Sequence, residues 1–240
     1  KLKKIRSDIN KLLICNNNEP TRENVIGTIL HLVDKCHFRI GAIKYKDEYN
    51  TYGASTLNKN HFIFNKESIR IEFNGKKNVK NISSVSNKKC INILDKLCRL
   101  YKNREFIFCY RNENDRIVHI KETQINAFLK KYDEVLTVKM FRTWTANNIL
   151  LKELTSDKNK PKNESDRLKI VRLSIKKAAK ELHHTPNVSK KAYINNELIQ
   201  LYLNQNKLFF SLYKKYSVKG NITYDQILNK YLIELMQNKQ

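Results

Sequence analysis

The sequence lacks the cysteine patterns that mark a metal site or a disulfide framework. It contains 5 Cys among 240 residues, and no two of them form a Cys-x-x-Cys pair. Each lies among apolar residues or at a predicted helix end: Cys15, Cys36, Cys90, Cys98 and Cys109. This distribution argues against a zinc site or disulfides, and we expect reduced thiols of an intracellular protein.

Long apolar segments are also missing. No run of about 18 apolar residues occurs, and no segment has the apolar stretch of a signal peptide, so we expect no membrane-spanning helix. Glycine and proline are scarce, at 5 and 3 residues, while Asn, Lys and Ile are abundant. A genome rich in A and T produces the same bias, so we draw no functional conclusion from it.

Acidic residues are too few to balance the basic ones. Lys and Arg total 47 and Asp and Glu 23, which gives a net charge of +24 and a pI of about 9.8. Such a surplus destabilises a compact protein by self-repulsion unless a polyanion is its partner. An anionic membrane would also fit the charge, but the missing apolar segments favour nucleic acid.

The spacing of apolar residues predicts an α+β fold that is mainly α. Helical spacing covers residues 3–15 and 21–36, and after Gly53 the period changes to two. Three short strands between about 55 and 85 should form an antiparallel meander, with Asn74-Gly75 at the tip of the second hairpin. From Asn87 onward the pattern is helical almost to the end. We expect an exposed loop at 155–166 and helices at about 167–182, 193–204, 207–216 and 223–237.

His184 and Tyr193 are the strongest candidates for chemistry. They lie nine positions apart (193 − 184) across a short basic turn. A tyrosine that attacks a phosphodiester forms a covalent phosphotyrosyl link, which conserves the energy of the broken strand. Either residue has a plain alternative, because most of the 12 Tyr must be packing residues and a His before Thr-Pro is commonly a cap or a core residue.

Three basic residues could assist such an attack. Arg39 precedes Gly41 at a bend and Arg142 begins an apolar helix, and guanidinium groups pair two phosphate oxygens at once. Lys76 follows the predicted hairpin tip, where an ammonium could protonate the leaving oxygen. The alternatives are a solvated charge for Arg39 and Lys76, and an ion pair for Arg142.

Taken in order, these residues resemble the catalytic domain of poxvirus-type (type IB) DNA topoisomerases over nearly the whole chain. The family's two Arg boxes are matched by Phe38-Arg39-Ile40-Gly41 and Lys139-Met140-Phe141-Arg142-Thr143. Between them lie Tyr52-Gly53-Ala54-Ser55-Thr56-Leu57, which leads into the sheet, and the Lys hairpin Phe73-Asn74-Gly75-Lys76. The last landmark is the His and Tyr box, His184-Thr185-Pro186 with Ser189-Lys190-Lys191-Ala192-Tyr193.

The resemblance implies a role for each residue. Arg39 and Arg142 would clamp the scissile phosphate, Lys76 would protonate the 5′ oxygen, and His184 would donate to a nonbridging oxygen. Tyr193 would form a 3′-phosphotyrosyl bond, and the cut strand would rotate and be religated without ATP, metal or cofactor. Further DNA-binding candidates are Lys44, Tyr45, Lys139, Asn147, Lys190 and Lys191.

Three positions depart from the family pattern. Lys77 stands where an acidic residue commonly follows the catalytic Lys, Trp144 where Tyr is usual, and His183 where Gly usually precedes the catalytic His. The departures concern the electrostatics of the hairpin and the geometry of the loops.

The resemblance also implies a domain plan and a setting. The chain would be one catalytic domain with helices at 1–54, the sheet at 55–85, catalytic helices at 86–204 and C-terminal helices at 205–240. The family's smaller N-terminal clamp domain is not expected within it. We expect a monomer that binds duplex DNA and no membrane, in a virion, in infected-cell cytoplasm or in a nucleus.

Two other functions fit part of the pattern. A tyrosine recombinase uses the same five residue types, but it normally has His three residues before the second Arg, where this chain has Lys139. A noncatalytic DNA-binding module would explain the charge of +24. It would leave the ordered set of residues unexplained.

Overall fold

The computed structural model describes residues 1–156, 161–217 and 223–237. The chain divides into two units, Lys1–Phe141 and Arg142–Gln240, and each has its own apolar core. The division falls in the first turn of a helix, α6 (Lys139–Leu154). None of the helices that the described residues form is long and apolar enough to cross a bilayer.

The first unit begins with three helices, α1 (Leu2–Leu12), α2 (Arg22–Cys36) and α3 (Ile43–Tyr49). The first two agree with the predicted helices. Helix α2 is capped by Thr21, whose hydroxyl accepts from the Asn24 backbone N–H. Nearly all of α2 is buried, whereas α3 buries no residue.

The small antiparallel sheet was predicted correctly. Strands β1 (Phe62–Phe64), β2 (Ile69–Gly75) and β3 (Val79–Val85) pair in the order β1-β2-β3. Alternate residues of β2 point into the core, where Ile69 and Ile71 are fully buried. This alternation is the period of two that the sequence displays.

The turn of the second hairpin begins two residues later than predicted. Asn74 and Gly75 continue strand β2, and Gly75 has an extended backbone with φ −95°. The turn consists of Lys76–Asn78, in which Lys77 and Asn78 take the left-handed conformation with φ 62° and 57°. A Cβ on Gly75 would lie 2.5 Å from the Asn81 side-chain nitrogen, so a larger residue there would displace that side chain.

A further hairpin, separate from the three-stranded sheet, follows helix α4 (Lys88–Leu100) and was not predicted. Strands β4 (Cys109–Arg111) and β5 (Ile117–His119) pair antiparallel before helix α5 (Glu122–Lys130). The expectation of continuous helix after Asn87 was therefore wrong over this segment. Each strand has only three residues, which is too short for a clear alternation of burial.

The second unit is entirely helical in its described part. After α6 come the five helices α7 (Glu164–Glu181), α8 (Pro186–Ala192), α9 (Asn196–Asn204), α10 (Asn206–Ser217) and α11 (Tyr224–Gln237). Helix α7 starts inside the predicted loop 155–166, of which residues 157–160 lie outside the described part. The predicted helix 193–204 begins later, at Asn196, and Tyr193 lies outside it.

Candidate active site

Tyr193 sits at a junction between two helices. It is the C-cap of α8, and Asn195 caps α9 by accepting from the N–H groups of Glu197 and Leu198. The α8 end is tight, since the backbone N–H groups of Tyr193 and Ile194 both donate to the Ser189 carbonyl. The proposed nucleophile therefore projects from a backbone segment that these hydrogen bonds hold in place.

Arg142 lies over the Tyr193 ring. Its guanidinium carbon is 5.2 Å from the ring centroid, and one terminal nitrogen donates to the Leu182 carbonyl at 2.7 Å. Only 2% of Arg142 is exposed. Burying a guanidinium costs free energy unless it is hydrogen-bonded or paired. Here it donates to a backbone carbonyl and forms a cation–π contact with an aromatic ring.

His184 stacks on the Tyr193 ring. The two ring centroids are 5.0 Å apart and the planes are inclined by 9°. The His184 Nδ1 lies 3.2 Å from the Thr185 carbonyl oxygen, so this bond requires a proton on Nδ1. Tyr193 thus has a guanidinium and an imidazole as ring neighbours.

Asn147 holds the backbone around Tyr193. Its side-chain nitrogen donates to the Tyr193 carbonyl at 2.8 Å and to the Thr143 carbonyl at 2.8 Å. Its side-chain oxygen accepts from the Asn195 N–H at 2.7 Å. Asn147 is 4% exposed, so in this structure the amide that we proposed as a DNA contact is committed to the protein backbone.

In the first unit, Arg39 lies on a segment that is pinned by a glycine pair. The carbonyls of Arg39 and Ile40 accept from the N–H groups of Ala54 and Ser55, each at 2.7 Å. A Cβ on Gly53 would lie 2.4 Å from the Gly41 nitrogen, and Gly41 has φ +87°. The two segments approach this closely only because both residues lack a side chain.

The Lys76 hairpin is joined to the same region. The Tyr52 N–H donates to the Asn74 carbonyl at 2.8 Å, next to the residues that bond the Arg39 segment. The rings of Phe38 and Phe73 meet edge to face at 4.8 Å. Lys76 itself is exposed, and its ammonium lies 5.7 Å from the centroid of the ring of Tyr45, a predicted DNA-binding residue.

The remaining basic candidates are on the surface. Lys44, Lys139, Lys190 and Lys191 are all exposed, and Lys44 forms an ion pair with Glu48 at 3.6 Å. The structure thus divides the five predicted catalytic residues between the two units. Arg142, His184 and Tyr193 belong to the second unit, and Arg39 and Lys76 to the first. Their convergence on one phosphate stays a prediction.

The cysteines have no chemical signature of a site. All five are free thiols, and four of them are buried. Burial raises the pKa of Cys36 and of Cys109 to about 11 and that of Cys98 to about 12. Such thiols are protonated and inert at neutral pH. Within the described ranges, no group of three or more His, Cys, Asp or Glu could hold a metal ion.

Sequence reasoning missed a polar cluster that joins α6 to α11. The Trp144 indole N–H donates to the Asp225 carboxylate at 2.6 Å, and the Asn148 amide donates to the same oxygen. Trp144 was noted only as a departure from the family pattern. Its partner is 81 positions away, so no local signal indicates the pair.

A mainly helical fold with a small three-stranded sheet, carrying an Arg–His–Tyr cluster, is consistent with a topoisomerase I catalytic core. The family described as eukaryotic DNA topoisomerase I, catalytic core, matches residues 1–217, and the chain belongs to this family.

Named relatives agree with this assignment. The chain is 29% identical over 208 residues to DNA topoisomerase 1B of Acanthamoeba polyphaga mimivirus, a match that covers 84% of the chain and 62% of the relative. It is 25% identical over 230 residues to DNA topoisomerase 1B of vaccinia virus (strain Copenhagen), covering 95% of the chain and 66% of the relative. A third similarity, 31% over 132 residues, is to DNA topoisomerase 1 of Drosophila melanogaster, covering 52% of the chain and 13% of the relative. The chain therefore spans less than two thirds of the length of these viral relatives.

Proposed function

We propose that this chain is the catalytic part of a type IB DNA topoisomerase. It would bind duplex DNA and cut one strand by attack of the Tyr193 oxygen on a phosphodiester. The bond from phosphorus to the 5′ oxygen breaks, and a 3′-phosphotyrosyl link forms. The cut strand then rotates to relax supercoils, and the 5′ hydroxyl attacks the link to reseal the strand.

The observation that carries the proposal is the environment of Tyr193. A guanidinium and an imidazole contact the ring of one tyrosine, and the backbone of that tyrosine is fixed by Asn147. Charge develops on the nonbridging oxygens during attack, and preorganised cationic donors stabilise it. Because Nδ1 of His184 is engaged with the Thr185 carbonyl, donation from Nε2 to a phosphate oxygen would use the doubly protonated ring.

Arg39 and Lys76 complete the proposed mechanism. The 5′ alkoxide is a poor leaving group and needs a proton, which an exposed ammonium on a hairpin turn can bring into a DNA groove. Arg39 would be the second guanidinium on the scissile phosphate. Together with Arg142 and His184 it supplies the positive charge that a metal ion brings to other phosphoryl-transfer sites, so we expect cleavage to proceed in chelator.

The first experiment traps the covalent intermediate. A duplex whose cut strand loses a short 3′ fragment cannot be resealed, so wild-type protein should accumulate a protein–DNA adduct on a denaturing gel. Tyr193→Phe should form no adduct and bind the duplex with nearly unchanged affinity, because it removes only the attacking oxygen. Tyr216→Phe, which alters a tyrosine hydroxyl elsewhere in the second unit, is the matched control and should form adduct normally.

The second experiment tests the leaving-group proton. Lys76→Ala should slow cleavage strongly on ordinary DNA, and a substrate with a sulfur 5′ leaving group should recover much of the loss. The neighbouring Lys77→Ala is the control, and we expect cleavage close to wild type. If Lys76→Ala slows both substrates equally, Lys76 is not the acid. Relaxation of a supercoiled plasmid without strand exchange would separate this function from that of a recombinase.

A further inference from the structure

Helix α6 makes two sets of contacts. Arg142 and Asn147 contact Tyr193 and its backbone, as described above. Trp144 and Asn148 both donate to one carboxylate oxygen of Asp225. Trp144 and Asn148 are four positions apart, which places them on one helix face. All four α6 residues lie within about two turns of helix, so a shift of one pair moves the other.

Asp225 belongs to an element that can act as a support. It lies in the first turn of α11 (Tyr224–Gln237), where a negative charge is favourable at the amino end of a helix. Helix α11 is itself anchored, since Leu228 and Tyr231 are fully buried and the Tyr231 hydroxyl donates to the Phe209 carbonyl. The bonds to Asp225 are charge-assisted and therefore stronger than bonds between neutral groups. The family match ends at residue 217, before this helix begins.

We propose that Asp225 is a positioning residue for the cleavage reaction. Through Trp144 and Asn148 it fixes α6, and α6 in turn aims Arg142 and Asn147 at the Tyr193 junction. The inference rests on the proposed function, because it assigns a role in that same reaction. Misplacement of a reacting group by about 1 Å can slow a reaction on the order of a hundredfold, so loss of the support should be visible in the rate.

The test compares cleavage with DNA affinity. Asp225→Ala should lower the single-turnover cleavage rate at saturating DNA by tenfold or more, and leave the dissociation constant for the duplex within about twofold, because no proposed DNA-binding residue is removed. Asp225→Asn keeps an acceptor oxygen for the indole but no charge, and should recover part of the rate. Glu234→Ala removes another α11 carboxylate, which bonds Tyr216 and Lys215 and not α6. It is the matched control, and its cleavage rate should match that of wild type.

Trp144 supplies an independent readout, since it is the chain's single tryptophan. Its fluorescence should change in Asp225→Ala and stay unchanged in Glu234→Ala. Trp144→Phe should slow cleavage by itself, and adding Asp225→Ala to it should slow cleavage less than it does in the wild-type background, since the two residues share one bond.

The outcomes separate this inference from the proposed function. If wild-type protein forms no covalent adduct, the proposed function fails, and the fluorescence still tests the Trp144–Asp225 contact. If Asp225→Ala is folded and cleaves within twofold of wild type, the positioning role is overturned. If that variant does not fold, Asp225→Asn and Trp144→Phe decide, because the first keeps the shape of the side chain and the second keeps an aromatic ring. Wild-type cleavage rates in both would overturn the inference equally.

Discussion

Replacing Asn147 by alanine should impair cleavage without weakening DNA binding. The substitution removes the amide that donates to the Tyr193 carbonyl and accepts from the Asn195 N–H. Both backbone groups would lose their partner at a part-buried junction. Each unsatisfied buried group costs about 1–3 kcal/mol, and water can restore some of that loss here, so we expect about 2–3 kcal/mol in total.

If that cost falls on the geometry of the transition state, cleavage should slow by about 30- to 150-fold, since each 1.4 kcal/mol corresponds to about a factor of ten. Single-turnover cleavage of the trapping duplex measures the rate, and urea unfolding measures stability. Asn206→Ala is the control. It removes an asparagine that donates to a helix carbonyl at 3.0 Å in the same unit, away from Tyr193.

Two results would refute this reasoning. A cleavage rate for Asn147→Ala within about twofold of wild type would mean that the Tyr193 junction keeps its geometry without the amide. Weaker DNA affinity with an unchanged salt dependence would instead restore Asn147 as a phosphate contact, because a neutral amide can bond a phosphate oxygen without displacing a counterion.

Three further predictions follow from burial and charge. Burial lowers the pKa of His61 to about 4. The unfolded chain therefore binds a proton at this histidine at higher pH than the folded chain does, and stability should fall between about pH 6.5 and 4, by at most about 2 kcal/mol after solvent screening. Urea unfolding across that range should lose part of its pH dependence in His61→Asn, and an unaltered profile would contradict the assignment. A thiol reagent should modify Cys15 first in the folded protein, since the other four cysteines are buried; rapid reaction of more than one thiol would argue against this core. DNA affinity should fall steeply with salt, and the variant with Lys190→Ala and Lys191→Ala should reduce the slope by up to about 1.8, at about 0.9 per contact; an unchanged slope would remove both lysines from the interface.

Local sequence patterns predicted much of the fold, and the errors arose where contacts between residues far apart in the sequence determine the structure. The alternation in Ile69, Ile71 and Phe73 correctly gave strand β2. The position of its turn did not follow, because Gly75 has an extended backbone and packs against the Asn81 side chain, while Lys77 and Asn78 take the left-handed conformation. The hairpin at 109–119 was missed because each of its strands has only three residues. The continuous apolar run at 106–110, rich in aromatic residues, was the available signal for it.

The candidate site was predictable as a set of residue types, but not as a geometry. The order of the motifs identified Tyr193, His184 and Arg142, and the structure brings these three together. Asn147 is different, because an amide can bond phosphate or backbone equally well in chemical terms. Its burial and its three backbone bonds depend on the packing of α6 beside the Tyr193 junction. The same holds for Asp225, whose partners lie 77 and 81 positions away.

The glycine pair beside Arg39 restricts how sequences of this kind can diverge. A side chain gained at Gly41 or Gly53 cannot be offset by trimming its partner, because the partner is already the smallest residue. We therefore expect both positions to remain glycine in related sequences. The stretch between them is freer, since helix α3 buries no residue and both ends of the excursion are fixed by the glycine contact. Insertions and deletions within α3 should leave the Arg39 backbone where it is, but they would move the Tyr45 ring relative to the Lys76 ammonium.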